Sequence, residues 1–124
     1  DARGDLCVAE VGADLPFAVR RSFLVYRVPS AELRGAHAHR RCGQFLQAVA
    51  GSVHVIADDG RQREEFCLDR PSLGLYLPPM TWGIQHRYTQ GAVLLVLASD
   101  PYDPADYIRD YDEFLALRRA GGAA

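Results

Sequence analysis

Two histidines separated by one residue stand out in the stretch RGAHAHRRCGQ, residues 34–44. In an extended strand, side chains two positions apart point to the same side, so His37 and His39 are expected to share one face of a sheet. Imidazoles transfer protons near neutral pH and also bind divalent metals. The pair could therefore carry out acid–base catalysis, hold a metal ion, or only complete hydrogen bonds within a half-buried strand.

The residues around the pair argue against a metal. In the metal-binding pattern of the small β-barrels known as cupins, HxH is followed by a Glu, and a second motif supplies another His. Here Gln44 stands at the Glu position and Ile84 at the second-motif position, with His86 two residues later. A carboxamide is a weaker ligand than a carboxylate, and Arg40 and Arg41 would repel a cation. We therefore expect no metal and no other cofactor.

Arginines close to the pair in sequence favour proton transfer beside an anion. All 14 basic residues are arginines, and the absence of lysine excludes Schiff-base chemistry. Nearby cations lower the pKa of an imidazole and so favour the neutral base. A guanidinium can also bond two phosphate oxygens at once. The pattern thus predicts general acid–base catalysis next to a phosphate group.

The elements that must position these residues are mostly short strands. Turn signals at Gly51-Ser52 and Asp59-Gly60 separate apolar or alternating runs. Besides the histidine segment, the predicted strand regions are FAVRRSFLVYRV (17–28), QFLQAVAGSVHVIADDG (44–60), REEFCLDR (63–70), SLGLYLPP (72–79) and GAVLLVLAS (91–99). Many short strands joined by such turns predict an all-β sandwich or barrel.

A helix is predicted at the end of the chain, over about residues 103–120. Asp103 is a favourable N-cap residue, and Pro104 suits the first helical position. Apolar and aromatic residues recur there at helical spacing, namely Tyr107, Tyr111, Phe114 and Leu115. This helix is expected to pack on or beside the β-domain.

Bulk properties limit the possible classes of protein. The 124 residues fit a single domain spanning 1–124, and the hydrophobic content of 48% is typical of a globular fold. No apolar stretch is long enough to span a membrane. A net charge of -2 without a long basic run argues against nucleic acid. Cys7, Cys42 and Cys67 lack CxxC spacing, which predicts free thiols and a reducing, cytoplasmic location.

These motifs together resemble those of the dTDP-sugar 3,4-ketoisomerases of the cupin superfamily. The resemblance covers nearly the whole chain and is most specific in RGAHAHR at 34–40 and YDPADYIRDYDEF at 102–114. It implies a cupin-type jelly roll, a homodimer and a metal-free site. The implied reaction moves the keto group of a dTDP-4-keto-6-deoxy-hexose from C4 to C3 through an enediol(ate). Such a step would belong to deoxysugar biosynthesis for lipopolysaccharide or another glycan.

The resemblance also implies roles for individual residues. His37 matches the base of the related 3,5-epimerases and is expected to remove the C3 proton, while His39 delivers a proton to C4. Tyr26 is expected to donate to an oxygen of the enediolate. The predicted substrate-binding residues are Arg21, Arg34, Arg40, Gln44, Trp82 and Arg109. The first three arginines are assigned to the diphosphate, Arg109 to the sugar or a phosphate, and Trp82 to stacking on thymine or the sugar.

Other functions stay open at the level of sequence. A dTDP-sugar 3,5-epimerase typically reads RGLHYQ, so the second histidine, His39, argues against it. A non-catalytic sugar-nucleotide-binding cupin would need the arginines but not both histidines. A metal-dependent dioxygenase is disfavoured by Gln44. Relatives often carry Phe at the position of Ala36, so the identity of the sugar also stays open.

Overall fold

Short strands dominate the structure. The computed structural model describes residues 2–121. Its strands are β1 (Arg21–Tyr26), β2 (Arg34–His39), β3 (Gln44–Ala50), β4 (Val53–Asp58), β5 (Arg63–Leu68), β6 (Gly74–Leu77), β7 (Trp82–His86), β8 (Val93–Ala98) and β9 (Tyr107–Ile108). A single 3-10 turn (Pro104–Asp106) precedes β9, and one α-helix, α1 (Tyr111–Ala120), follows it.

The strands form two antiparallel sheets. One has four strands in the order β1-β8-β3-β6, and the other has five in the order β5-β4-β7-β2-β9. Neighbours in each sheet are mostly distant in sequence, as in a jelly roll. The predicted all-β jelly-roll class with a short C-terminal helix is therefore confirmed.

Alternating side chains on β8 show how the core is built. Leu94 and Val96 point inward and are fully buried, whereas Leu95 between them faces outward. Leu46 from the same sheet and Val55 from the opposite sheet belong to the same buried cluster. Burying each such side chain is worth about 1.5–3 kcal/mol. The space between the sheets is therefore a packed core that gives the site a rigid frame.

A second apolar cluster lies on the outer face of the five-stranded sheet, under α1. Trp82 is 5% exposed and packs against the rings of Tyr111 and Phe114, with centroid distances of 5.2 and 5.7 Å. Ile108 of β9 completes the contact. The predicted stacking of Trp82 on thymine or the sugar is therefore wrong, because its side chain fixes the helix to the sheet.

The C-terminal segment differs from the helix predicted over 103–120. Asp103 does act as an N-cap, but of the 3-10 turn. The chain then forms β9, whose backbone pairs with β2 instead of continuing a helix. Asp110 is a second N-cap, and its carboxylate accepts the backbone N–H groups that open α1. The predicted helix start is wrong because pairing with the sheet overrides local helical spacing.

The three cysteines are free, as predicted. Cys42 is buried, and Cys7 and Cys67 are exposed. Within residues 2–121, no helix is long and apolar enough to cross a membrane.

Candidate active site

A pocket lies between the two sheets, at the end of β2 that carries the histidines. Strand alternation directs His37 and His39 into it, as their spacing predicts. Both sheets contribute to the lining, which consists of Gly35, His37, His39, Cys42, Gln44, Val55, Leu77, Pro78, Thr81, Gly83 and Gln85. Gln44, a predicted substrate contact, is thus placed beside the histidines and is 7% exposed.

The two imidazoles meet edge to face. Their ring centroids are 4.9 Å apart, with an interplanar angle of 81°. Tyr107 packs against both rings, at 4.9 Å from His37 and 4.4 Å from His39. It reaches them because β9 pairs Tyr107 directly with His39. The short strand therefore fixes the relative orientation of the two rings.

A buried carboxylate orients the second histidine. Asp106 Oδ2 lies 3.1 Å from His39 Nδ1, and the backbone N–H groups of Arg41 and Cys42 donate to the same carboxylate at 2.7 and 3.2 Å. Burial raises the pKa of Asp106, but the hydrogen bonds outweigh burial and hold that pKa below its usual value. The ionised carboxylate accepts the Nδ1–H of His39, which leaves Nε2 as the atom that exchanges protons.

Burial and charge keep the two histidines neutral near pH 7. The pKa of His37 is lowered to about 4, first by burial and then by the charges of His39, Arg109 and Arg21. Burial also lowers the pKa of His39, but the hydrogen bond and charge of Asp106 oppose that shift. His37 is therefore a neutral acceptor, and His39 alone of the two has a carboxylate that stabilises its protonated form.

The ligand atoms of His39, Cys42 and Asp106 are close enough to raise the question of a metal, since they lie within 4.8 Å of one another. The Asp106 carboxylate already accepts three hydrogen bonds from the protein, two of them from backbone N–H groups. A cation there would displace these donors and face the positive charges that lower the pKa of His39. The residues fit a hydrogen-bonded dyad better than a metal site.

Comparison with known proteins assigns the family. Residues 1–119 match the family model described as FdtA: WxcM-like, C-terminal. The chain belongs to the FdtA family. A TDP-4-oxo-6-deoxy-alpha-D-glucose-3,4-oxoisomerase from Aneurinibacillus thermoaerophilus is 42% identical over 114 residues, which cover 92% of this chain and 82% of that protein. The predicted resemblance to the 3,4-ketoisomerases is confirmed.

Solved structures of the same class superimpose closely on this FdtA-family chain. The TDP-quinovose 3,4-ketoisomerase WlaRB from Campylobacter jejuni is 43% identical with a TM-score of 0.89, over 94% of this chain and 89% of that one. A mutant of the 3,4-ketoisomerase QdtA from Thermoanaerobacterium thermosaccharolyticum, in complex with TDP-4-keto-6-deoxyglucose, is 35% identical with a TM-score of 0.92, over 97% and 87%. The sugar epimerase NovW from Streptomyces spheroides, at 24% identity and a TM-score of 0.65 over 74% and 51%, shares the fold alone.

Two of the four arginines predicted to bind substrate lie near the histidines in the FdtA-family chain. The charges of Arg21 and Arg109 both reach His37 and His39. Arg109 lies over the ring of Tyr107 at 4.5 Å. Arg21 Nε is buried and has no hydrogen-bond partner among residues 2–121. These arginines give the pocket a positive potential suited to an anionic ligand.

Three other predicted residues are not brought to the pocket. Tyr26 is 54% exposed on the outer face of β1, five residues or about 16 Å along the strand from Arg21, so its predicted contact with the enediolate is wrong. Arg40 pairs with Glu113 of α1 at 3.1 Å, at the surface and outside the lining of the pocket. Arg34 is exposed and lines a separate surface groove with Tyr26.

Two residues that hold the histidines, Asp106 and Tyr107, were not predicted from the sequence as site residues. Both lie in the segment predicted as helix. In a helix, Asp106 is one of several acidic residues near the N-terminus, and Tyr107 is one of the apolar residues at helical spacing. A signal was available in the dipeptide Tyr107-Ile108, because aromatic and β-branched residues directly after a proline turn favour a strand.

The lowered pKa of His37 predicts acid sensitivity of the fold. The unfolded chain takes up this proton at about pH 6.5 and the folded chain only near pH 4, so stability is lost as pH falls through that window. The contribution is at most about 3 kcal/mol. Urea unfolding from neutral pH to about pH 4 should show a smaller loss of stability in His37→Asn than in the wild type. Equal losses would contradict the buried, neutral state of His37.

Proposed function

We propose that this FdtA-family chain is an isomerase that moves the keto group of a dTDP-4-keto-6-deoxy-hexose from C4 to C3. The observation that carries the proposal is the pair of inward-facing imidazoles. One of them, His39, is hydrogen-bonded to the buried carboxylate of Asp106. Such a pair can take a proton at one carbon and return a proton at the next. The reaction named for the relatives requires this transfer.

The first step is removal of the C3 proton. The C4 ketone acidifies that proton, and neutral His37 accepts it to give an enediolate with negative charge on O4. The positive field of Arg21 and Arg109 stabilises this charge in a pocket where burial strengthens electrostatic interactions.

The second step is protonation of C4. Nε2 of neutral His39 first takes up a proton, from solvent or from His37, and the imidazolium so formed delivers a proton to C4, while the O3 hydroxyl gives its proton to O4 and the ketone forms at C3. Asp106 supports this role because a paired carboxylate stabilises the imidazolium that must donate. Delivery to C4 leaves His39 neutral, and His37 is neutral again once its proton has passed to solvent or to His39, whose ring centroid is 4.9 Å away.

The nucleotide is held through its diphosphate, with Arg21 as the main contact. Its guanidinium lies over the rings of Phe23 and Tyr102 at 5.4 and 5.6 Å, which fixes the side chain beside the pocket. Arg109, whose guanidinium lies over the ring of Tyr107, is the candidate contact to the sugar or a phosphate. Gln44 is the candidate hydrogen-bonding contact to the sugar, since its amide lines the pocket.

An epimerase is the weaker alternative. An epimerase returns the proton to the carbon that lost it, whereas transfer between C3 and C4 benefits from a second imidazole with its own counter-ion. The geometry of His39 and Asp106 therefore favours the ketoisomerase. A non-catalytic binding module does not require the buried pair of His39 and Asp106, whose burial costs free energy.

We also propose that the enzyme acts in the cytoplasm in deoxysugar biosynthesis for lipopolysaccharide or another glycan. The free thiols of Cys7 and Cys67 are exposed, and such thiols persist in a reducing compartment. Retention of the chain with the cytoplasmic fraction of cells is the corresponding measurement, and export of the mature protein would contradict this location.

We further propose a homodimer that forms through the outer face of the four-stranded sheet. Leu24 and Tyr26 are each 54% exposed on that face, with Val49 at 41% and Tyr76 at 38%. Exposed apolar side chains on one face of a sheet are of the kind that mediate contacts between subunits.

Sedimentation of two variants tests the homodimer. The wild type is expected to sediment as a dimer, and Leu24→Asp as a monomer, because a charge in the interface loses its hydration. Leu6→Asp is the matched control, since Leu6 is 89% exposed and outside the sheet. A monomeric wild type, or equal effects of the two changes, would rule out this interface.

Substitution of each histidine separates their roles. In heavy water, His37→Asn should lower both the rate of turnover and the rate of C3 proton exchange, each by roughly 10²–10⁴-fold. His39→Asn should stop product formation but retain exchange at C3, because the proton is still removed and returned. NMR of dTDP-4-keto-6-deoxyglucose measures both events, and deuterium at C4 of the wild-type product marks isomerisation.

Circular dichroism and dTDP affinity serve as controls for both histidine variants. Exchange that survives in His37→Asn and disappears in His39→Asn would reverse the two roles. Near-normal turnover in both variants would refute the catalytic proposal.

A matched pair of arginine variants tests the diphosphate contact. Arg21→Ala should weaken dTDP binding by roughly tenfold or more, because a charged hydrogen bond is worth about 1.5–3 kcal/mol. Arg40→Ala should leave the affinity unchanged, since its guanidinium pairs with Glu113 at the surface. Calorimetry with both variants makes the comparison, and a larger loss in Arg40→Ala would overturn the assignment.

A further inference from the structure

Another pair of histidines lies on the face of the five-stranded sheet that points away from the pocket. His54 of β4 is directly opposite His86 of β7 in the antiparallel register. Val53 and Val55, the neighbours of His54, belong to the core between the sheets, so His54 faces outward. Glu65 of the adjoining strand β5 completes the group. Neither the fold nor the proposed reaction uses these three side chains.

The three side chains converge on one point. Glu65 Oε2 lies 2.8 Å from His54 Nδ1 and 3.4 Å from His86 Nε2, and the two imidazole centroids are 5.8 Å apart. The longer of these contacts lacks hydrogen-bond geometry. His86 Nε2 is buried and has no hydrogen-bond partner among residues 2–121. His86 Nε2 thus lies near the Glu65 carboxylate without forming a hydrogen bond.

The spacing suits a small divalent ion. All three ligand atoms lie within 4.8 Å of one another. Tetrahedral zinc, with bonds of about 2.0–2.1 Å, holds its ligand atoms about 3.3 Å apart. The 3.4 Å pair already has that separation. The 2.8 Å pair has to open by about half an ångström, which a rotation of the exposed Glu65 side chain provides.

The ligand types select the class of metal. Two imidazoles and one carboxylate favour zinc and its neighbours in the transition series, whereas magnesium and calcium prefer oxygen ligands. The charge of Arg87 also reaches Glu65 and offsets it, which further disfavours ions held mainly by negative charge. Glu65 is 42% exposed, so solvent can supply a fourth ligand.

We propose that His54, Glu65 and His86 form a divalent transition-metal site that binds zinc on the outer face of the five-stranded sheet. The ion cross-links β5, β4 and β7 and stabilises the folded state by mass action. It takes no part in the isomerisation, because the pocket and this site lie on opposite faces of the sheet. Activity therefore does not depend on occupancy, whereas thermal stability does.

Calorimetric titration of the metal-stripped full chain with zinc tests the site. One zinc per chain is expected, with no heat from magnesium. His54→Gln and His86→Gln should each weaken zinc binding by roughly tenfold or more. The double variant His37→Asn/His39→Asn is the matched control, because it removes the same number of imidazoles from the pocket and should keep the wild-type affinity.

Thermal unfolding gives an independent readout. Zinc should raise the melting temperature of the wild type and of the double control variant, but not that of His86→Gln. EDTA should remove the increase while leaving turnover unchanged. If a histidine variant fails to fold, Glu65→Gln at an exposed position provides the same test. Absence of zinc binding, or loss of binding only in the His37/His39 double variant, would overturn the proposal.

Discussion

The buried carboxylate of Asp106 is the interaction on which the pocket depends. It joins the end of β2, through His39, to the backbone N–H groups of the turn that follows. A buried charge is tolerated only when it is paired and hydrogen-bonded, and each buried donor left without a partner costs about 1–3 kcal/mol. The shape of the β2–β3 turn and the orientation of the His39 imidazole are thus set by one group.

Strand β2 shows how the fold separates chemistry from stability. His37 and His39 point into the pocket, while Ala38 between them is fully buried in the cluster under α1. The alternation that delivers two imidazoles to one face therefore also delivers a packing contact to the other. The two faces of β7 differ in the same way, because Gly83 lines the pocket and Trp82 packs under the helix. Each strand serves both faces of the sheet.

The sequence predicts most of what depends on local pattern. Alternation and turn residues indicate the strands and a sandwich or barrel, and the HxH spacing places both histidines on one face. The family resemblance adds the jelly roll and Gln44. Long-range register is harder to infer. Asp106 was missed and Trp82 was misassigned, because their partners depend on how β9 and α1 dock on the five-stranded sheet. Tyr26 was misassigned because its side of β1 depends on strand register, which one-residue shifts reverse.

The position of β9 in the chain has a consequence for biosynthesis on the ribosome. Synthesis runs from the N-terminus, and domains acquire structure as the chain emerges. All residues of the two-sheet core, from β1 to β8, are translated before Asp106 and Tyr107. β9 is thus the last strand to be synthesised, and both imidazoles gain their orienting partners only when it completes the edge of the five-stranded sheet.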